Sequence, residues 1–202
     1  MTFALFLALA MDSIVWLPLI AFSSFIFLFY HTIPVDRKTY ANQITAFRFL
    51  LSSLTALAFI YLSPLWAFFL FGTAIALDGL DGYLARKYNQ ATELGGLFDM
   101  TTDAYLVLIL SFLLVKNYEL SYWVLGVGYL HYGYTILIYS LKWQNLSIPK
   151  NPVGKYIAAF LFLSLLSPFV LSSSWYFPII SLSSSLTAFS FLLSFWYKYK
   201  SS

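Results

Sequence analysis

Two long runs without a charged residue constrain the fold of this chain more than any other feature. Residues 49–77 and 156–197 contain no Asp, Glu, Lys or Arg. A helix that crosses a bilayer needs about 20 mostly apolar residues, so each run is long enough for two crossings. The first run breaks at Ser63-Pro64, and the second is interrupted at 172–178 by serines, a tryptophan and a proline. The sequence therefore predicts a pair of spanning helices in each run.

The remaining apolar segments complete an all-α prediction. Only 9% of the residues are charged and 61% are hydrophobic, whereas soluble domains carry about 25% charged residues. No Lys or Arg precedes Arg37, so the first apolar segment lacks the basic start of a signal peptide and is expected to be retained. We predict an integral membrane protein with a six-transmembrane-helix core bundle at 34–202 and one extra N-terminal hydrophobic helix within 1–33. The predicted helices occupy 13–30, 41–62, 65–89, 94–115, 120–141 and the two halves of 156–197.

The basic residues fall almost entirely on one set of helix ends. The opposite set holds only Lys116, and the larger set comprises Arg37, Lys38, Arg86, Lys87, Lys142, Lys150, Lys155, Lys198 and Lys200. Because cytoplasmic helix ends carry the excess of Lys and Arg, we expect the 86–94 and 142–155 loops to face the cytoplasm. The expected location is the cytoplasmic membrane of a prokaryote. The net charge of +3 is too small and too scattered to indicate nucleic acid binding.

Four of the eight acidic residues are aspartates between residues 78 and 103. Asp78 and Asp81 are three residues apart, and Asp99 and Asp103 are four apart. Both spacings place the paired carboxylates on one helix face. A turn near residues 90–91 would make the two helices an antiparallel hairpin. In that register Asp81 lies opposite Asp99, and Asp78 lies opposite Asp103, just inside the cytoplasmic end of the bilayer.

Carboxylates gathered near hydrocarbon need cations to offset their charge. Hard divalent ions take oxygen ligands, and Mg²⁺ commonly sits between carboxylates and substrate phosphates. Four carboxylates suffice for two metal ions, an arrangement suited to displacement at phosphorus. Two alternatives stay open on these grounds. The carboxylates could form structural ion pairs with Arg48, Arg86 and Lys87, or they could line a pathway for cations or protons.

The segment 78–103 resembles the signature of the CDP-alcohol phosphatidyltransferase family, D-x2-D-G-x2-A-R-x8-G-x3-D-x3-D. Every spacing is kept, and the fixed positions are Asp78, Asp81, Gly82, Ala85, Arg86, Gly95, Asp99 and Asp103. Upstream, "NQITAFR" is similar to the family's N-x2-T-x2-R and gives Asn42, Thr45 and Arg48. Downstream, "GKY" at 154–156 is similar to a lysine-containing segment near the fifth core helix. The resemblance covers about residues 40–200.

The resemblance implies a role for each of these residues. Two divalent ions, Mg²⁺ or Mn²⁺, would be held by Asp78, Asp81, Asp99 and Asp103. Asp103 would also be the catalytic general base that acts on the acceptor hydroxyl. Acceptor binding is expected from Arg48 and Lys155. The CDP site would be lined by Asn42, Thr45, Gly82, Ala85, Arg86 and Gly95.

The resemblance also implies a reaction in phospholipid biosynthesis. A phosphatidyl-type group would pass from a CDP-linked lipid, such as CDP-diacylglycerol, to a small alcohol or polyol-phosphate acceptor, with release of CMP. Glycerol 3-phosphate is favoured because "DGYLARKYNQAT" looks most like members that use it, although "FDMTTDA" departs from their "LDPLADK". The alternatives are transfer of a CDP-linked small alcohol phosphate to a lipid acceptor and, in a different class, a cation transporter. Membrane lipids and a second copy of the chain, in a homodimer, are the further expected partners.

Overall fold

The computed structural model describes residues 39–90, 92–118, 120–141 and 153–201. Within these ranges the chain forms six α-helices and one 3₁₀ turn, and it forms no strand. The predicted helix at 13–30 and the N-terminal segment 1–33 lie outside the described residues. The elements are α1 (Tyr40–Tyr61), α2 (Pro64–Lys87), α3 (Glu93–Asn117), α4 (Trp123–Ser140), α5 (Gly154–Leu166), the 3₁₀ turn (Ser167–Phe169) and α6 (Ser173–Ser201).

The junction between α1 and α2 follows from its local sequence. The Thr39 side chain caps the start of α1 by accepting a hydrogen bond from the Asn42 N–H at 3.4 Å. α1 ends at Tyr61, Ser63 adopts an extended backbone, and Pro64 opens α2. Proline suits the first helical position because the N–H that it lacks would have no partner there. The predicted break at Ser63-Pro64 is confirmed.

A short turn connects α2 to α3. Asn89 has a φ of 53°, a left-handed conformation that asparagine tolerates better than most residues. The Gln90 N–H donates to the Ala85 carbonyl at 2.9 Å and closes the end of α2. The Thr92 hydroxyl then accepts from the Gly95 N–H at 3.0 Å, which caps the start of α3. The turn therefore falls where the sequence predicts it, between the end of α2 at Lys87 and the start of α3 at Glu93.

The buried face of α1 carries a row of polar side chains beside apolar ones such as Phe49 and Ala56. The polar residues recur every three or four positions and are each at most 4% exposed: Asn42, Thr45, Arg48, Ser52 and Thr55. The Ser52 and Thr55 hydroxyls donate to backbone carbonyls four residues earlier in the helix, and the Thr45 hydroxyl lies within hydrogen-bond distance of both the Ala41 carbonyl and Asp81 Oδ2. All three are therefore satisfied without water. Polar side chains of membrane helices face the protein interior. This face is therefore the side of α1 on which a polar site can form.

The chain divides into two compact units within α3, between Ile109 and Leu110. In the first unit, α1 packs along α2. In the second unit, α6 packs against α5 and α4, and the hydroxyls of Ser164 and Ser183 are hydrogen bonded at 2.6 Å. The four aspartates and Arg48 all belong to the first unit.

The second long run is split into two helices as predicted, but the predicted position of the break, 172–178, was wrong. The helix is broken earlier, by the 3₁₀ turn at Ser167–Phe169, and α6 already begins at Ser173. Pro168 lies within that tight turn, where its missing N–H removes no α-helical hydrogen bond. Pro178 lies inside α6 and does not end that helix.

Four helices are long and apolar enough to cross a membrane within the described parts of the chain. Gly154–Phe169 is apolar but shorter. Trp66, Phe69, Leu163 and Leu192 are each more than half exposed, which suits contact with lipid better than with water. The protein is therefore of an all-α membrane type. The four candidate spans are Tyr40–Tyr61, Pro64–Lys87, Phe98–Asn117 and Ser173–Lys200.

Candidate active site

Four aspartates from two helices converge on one arginine from a third. Asp78 and Asp81 lie on α2, Asp99 and Asp103 on α3, and Arg48 on α1. Arg48 Nη1 lies 2.8 Å from Asp81 Oδ2 and 2.6 Å from Asp99 Oδ1. Arg48 Nη2 lies 2.8 Å from Asp78 Oδ1 and also contacts Asp103 Oδ1. Each nitrogen therefore bridges one of the cross-helix pairs that the spacing predicts.

The guanidinium of Arg48 makes four hydrogen bonds and one further ion pair. The residue is 0% exposed, and its Nε donates to the Ala74 carbonyl at 3.1 Å. Three more of its five N–H groups donate to Asp81, Asp99 and Asp103, and Nη2 also forms an ion pair with Asp78. The expected contact between Arg48 and an acceptor would require some of these bonds to break, so the geometry favours a role within the carboxylate cluster.

The cluster keeps a formal negative charge after this pairing. Four carboxylates face one guanidinium, and each ion pair uses a single carboxylate oxygen. Ligand atoms of Asp78, Asp99 and Asp103 all lie within 4.8 Å of one another, and these side chains are 41%, 37% and 31% exposed. A partly exposed set of hard oxygen donors with excess negative charge fits a divalent cation such as Mg²⁺ or Mn²⁺.

Asp81 differs from the other three aspartates. It is only 4% exposed, and its Oδ2 accepts hydrogen bonds from Arg48 and, at 3.0 Å, from the Thr45 hydroxyl. The group of converging carboxylates found among the described residues does not include it. The structure thus brings three of the four expected metal ligands into one group and ties the fourth to α1.

A cleft of about 140 Å³ opens beside the cluster. Asp81 and Asp99 lie in its wall, together with five of the six residues expected at the CDP site. The full lining consists of Ala41, Asn42, Thr45, Asp81, Gly82, Ala85, Gln90, Thr92, Gly95, Gly96 and Asp99. Residues far apart in the sequence therefore meet at one concave surface next to the carboxylates.

Gly95 lies close to two side chains at the cleft, those of Asn42 and Thr92. A Cβ atom at Gly95 would lie 2.9 Å from Asn42 Oδ1 and 3.0 Å from Thr92 Oγ1. Since real Cβ contacts are longer, a side chain at this position would displace a neighbour. Glycine here lets the start of α3 lie against the polar face of α1.

The two remaining predicted residues lie outside the lining of the cleft. Arg86 is in the last turn of α2, and its Nη1 lies 3.8 Å from the position that a Cβ of Gly82 would take. Lys155 lies on α5 in the second unit, with its Nζ 4.9 Å from the ring centroid of Tyr156. Among the described residues, the cation that forms ion pairs with the four aspartates is Arg48.

Gln90 and Thr92 line the cleft and were missed by the sequence reasoning. Gln90 Oε1 accepts from the Tyr40 N–H at 3.1 Å, which ties the turn to the start of α1. Thr92 stands just before a predicted helix, and threonine at that position is a recognisable cap, so it could have been found. No comparable signal marks Gln90.

Comparisons with known proteins agree with this geometry. A family model described as CDP-alcohol phosphatidyltransferase matches residues 38–196. The chain is 38% identical over 85 residues to the CDP-diacylglycerol–glycerol-3-phosphate 3-phosphatidyltransferases of Escherichia coli strain K12 and Shigella sonnei strain Ss046. Each alignment covers 40% of this chain and 46% of the relative, so the chain spans about half the length of the curated relatives it matches. Because the family model extends over most of the chain, the chain belongs to the CDP-alcohol phosphatidyltransferase family.

Proposed function

We propose that this protein transfers a phosphatidyl group from a CDP-linked lipid, such as CDP-diacylglycerol, to an acceptor alcohol and releases CMP. The observation that carries the proposal is the carboxylate cluster beside the cleft. A phosphoryl-transfer site needs concentrated negative oxygen donors to hold cations and a neighbouring cavity for the nucleotide. Both features occur here, within one compact unit and next to residues that match the family signature.

The proposed acceptor is glycerol 3-phosphate. The relatives named above carry this compound in their names, and their alignment with this chain supports the choice. Lys155 is the proposed acceptor contact, because a phosphorylated acceptor brings an anion that needs a cationic partner. For Arg48 we propose a role inside the carboxylate cluster instead of acceptor binding, because its guanidinium already contacts the Ala74 carbonyl and all four aspartates.

The proposed cofactor is a pair of divalent ions, Mg²⁺ or Mn²⁺. Asp78, Asp99 and Asp103 would hold them, and Asp81 would complete the set. Bound divalent ions supply charge neutralisation for the diphosphate and for the oxygens between which phosphorus is transferred. The residues fit because they offer only hard oxygen donors in a region that is partly open to solvent.

Asp103 is the proposed general base. Its carboxylate takes the proton from the acceptor hydroxyl as the acceptor oxygen forms a bond to the lipid-bearing phosphorus. The bond between that phosphorus and the bridging oxygen breaks, and CMP leaves with the electron pair. The products are therefore the phosphatidylated acceptor, CMP and one proton, and no covalent enzyme intermediate is needed.

The cleft beside the cluster is the proposed CDP site. Asn42 and Thr45 provide polar groups in its wall, and Gly82, Ala85 and Gly95 leave room for the nucleotide to approach the backbone. Arg86 is proposed to reach the diphosphate from the end of α2, because a guanidinium binds phosphate oxygens in a bidentate manner.

The proposed membrane arrangement extends the four candidate spans. A six-helix core at 34–202 would carry the reaction, and the hydrophobic segment 1–33 would add one helix. The carboxylates would lie near the cytoplasmic face of a prokaryotic cytoplasmic membrane. Lipid donor could then enter sideways from the bilayer while the water-soluble acceptor arrives from the cytoplasm. A homodimer is the proposed assembly.

An acceptor panel tests this proposal. Purified protein is incubated with labelled CDP-diacylglycerol, Mg²⁺ and one of glycerol 3-phosphate, inositol phosphate, inositol, serine or choline. The proposal predicts a labelled phosphatidyl product with glycerol 3-phosphate and equimolar CMP. A product formed only with another alcohol would refute glycerol 3-phosphate as the acceptor but would support the proposed phosphatidyl transfer.

Two alternatives give different outcomes in related assays. Turnover of a CDP-linked small alcohol with a lipid acceptor, but not of CDP-diacylglycerol, would show that the small alcohol is the CDP-linked donor and the lipid is the acceptor. Cation flux through reconstituted protein without CMP release from any donor would favour a transporter that uses the same carboxylates.

A further inference from the structure

We infer that Arg48 is the positioning residue of the carboxylate cluster, and that its planar guanidinium sets the spacing on which cation binding depends. The inference deepens the proposed function and rests on it. It starts from the contacts of Arg48 with all four aspartates and with the Ala74 carbonyl.

The shape of the guanidinium explains why one residue can organise four others. Its two terminal nitrogens lie in a rigid plane, and each carries two donors. One nitrogen binds the Asp81 and Asp99 pair, and the other binds the Asp78 and Asp103 pair. Every pair joins α2 to α3, so Arg48 fixes both the level and the separation of these helices at the site.

The position of Arg48 leaves the open side of the cluster available. Arg48 is completely buried, whereas Asp78, Asp99 and Asp103 are each about one-third exposed or more. Each ion pair occupies one oxygen of a carboxylate and leaves the second oxygen outside that pair. Arg48 therefore lies on the buried side of the cluster, and the carboxylates of Asp78, Asp99 and Asp103 lie nearer to solvent.

The side chain of Arg48 is itself held in position by neighbouring contacts. The Nε bond to Ala74 anchors the guanidinium to the α2 backbone at 3.1 Å. Thr45, one turn earlier, binds the same Asp81 oxygen as Arg48. Groups that orient metal ligands in this manner typically change metal affinity by about 10- to 100-fold when they are altered.

Replacing Arg48 with lysine tests the geometry of the guanidinium separately from its positive charge. Arg48→Lys keeps one positive charge but has a single nitrogen, which cannot bridge both carboxylate pairs. Arg48→Gln removes the charge as well. Thr55→Val, on the same buried face of α1, is the matched control, because the Thr55 hydroxyl donates only to the Leu51 carbonyl and lies outside the cluster.

The measurement is Mn²⁺ affinity of the purified full chain, from the electron paramagnetic resonance signal of unbound Mn²⁺, with thermal unfolding recorded in parallel. We expect Arg48→Lys to unfold near the parent temperature and to bind Mn²⁺ about 10- to 100-fold more weakly. Arg48→Gln should also bind Mn²⁺ more weakly than the parent, and Thr55→Val should bind it with the parent affinity. At saturating Mn²⁺, Arg48→Lys should lower kcat and leave the KM for glycerol 3-phosphate unchanged.

Several results would overturn the inference. Parent-like affinity in Arg48→Lys together with tighter binding in Arg48→Gln would mean that only charge matters. A raised acceptor KM together with normal Mn²⁺ affinity in Arg48→Lys would show that Arg48 binds the acceptor instead. Loss of folding in both variants, not restored by Mn²⁺, would make Arg48 a purely structural residue. A parent that binds Mn²⁺ but releases no CMP would instead refute the proposed function, because the affinity comparison needs no substrate.

Discussion

Gly95→Ala tests whether the close approach of α3 to α1 shapes the nucleotide cleft. The added methyl group would lie 2.9 Å from Asn42 Oδ1 and 3.0 Å from Thr92 Oγ1, below the 3.4 Å at which ordinary contact begins. The protein could relieve this contact by moving either of the two side chains, and each movement would remove a feature of the site. Movement of Thr92 weakens the cap on the Gly95 N–H, and movement of Asn42 changes the cleft wall.

The expected magnitude follows from this geometry. Overpacking a tight site costs about 1–3 kcal/mol, whereas exchanging glycine for alanine in a helix stabilises it by up to about 1 kcal/mol. The net cost is the overpacking cost minus this gain. If about 1.4 kcal/mol of that net cost falls on donor binding, kcat/KM for the CDP-linked donor decreases about tenfold. Gly79→Ala is the matched control, because a Cβ atom there meets nothing within 4 Å and Gly79 does not line the cleft.

The assay compares the two variants with the parent by thermal unfolding and by CMP release at varied donor concentration. Gly79→Ala should keep the parent donor KM and unfold at the same or a slightly higher temperature. Gly95→Ala should unfold at a lower temperature than Gly79→Ala and show a raised donor KM. A donor KM for Gly95→Ala equal to that of Gly79→Ala would refute the steric reasoning.

Three further predictions concern the base, the acceptor and the membrane orientation. Asp103→Asn should abolish transfer while the protein keeps its unfolding temperature within a few degrees, because the amide keeps the shape of the side chain but cannot take a proton; normal turnover in the folded variant would exclude this base. Lys155→Ala should raise the KM for glycerol 3-phosphate with little effect on the donor KM, and an unchanged acceptor KM would argue against this contact. The chain has no cysteine, so single cysteines at the exposed positions Tyr88 and Tyr122 can report topology. An impermeant maleimide should label Tyr122→Cys in intact cells and Tyr88→Cys only after permeabilisation, and the reverse pattern would invert the orientation.

The sequence predicted the helices well where a single residue type decides the outcome. Pro64 after Ser63 breaks the first long run because proline favours the first turn of a helix. The second run offers two prolines, Pro168 and Pro178, each near serines. Local sequence cannot choose between them, because an interior proline is tolerated when packing favours a continuous helix. The structure breaks the run at Ser167–Phe169 and keeps Pro178 within α6.

The pairing of the aspartates was also predictable, and Arg48 was one of three cations that the sequence offered as their partner, but the sequence could not single it out. Spacings of three and four residues around a turn fix Asp81 opposite Asp99 and Asp78 opposite Asp103. The conformation of Arg48 depends instead on how α1 packs along α2, a contact between segments that are distant in the chain. A motif can mark Arg48 as important, but only the packed helices show that its guanidinium reaches both pairs.

Divalent-cation dependence of CMP release tests the central claim most directly. Purified protein is given CDP-diacylglycerol and glycerol 3-phosphate, and CMP is measured with Mg²⁺, with Mn²⁺ and with excess EDTA, in the parent and in Asp78→Ala. We predict that the parent releases CMP only with a divalent cation, that EDTA stops release reversibly, and that Asp78→Ala releases little CMP and binds the cation weakly. Equal CMP release by the parent with and without EDTA, or unchanged cation dependence in Asp78→Ala, would contradict a catalytic role for the four-carboxylate cluster.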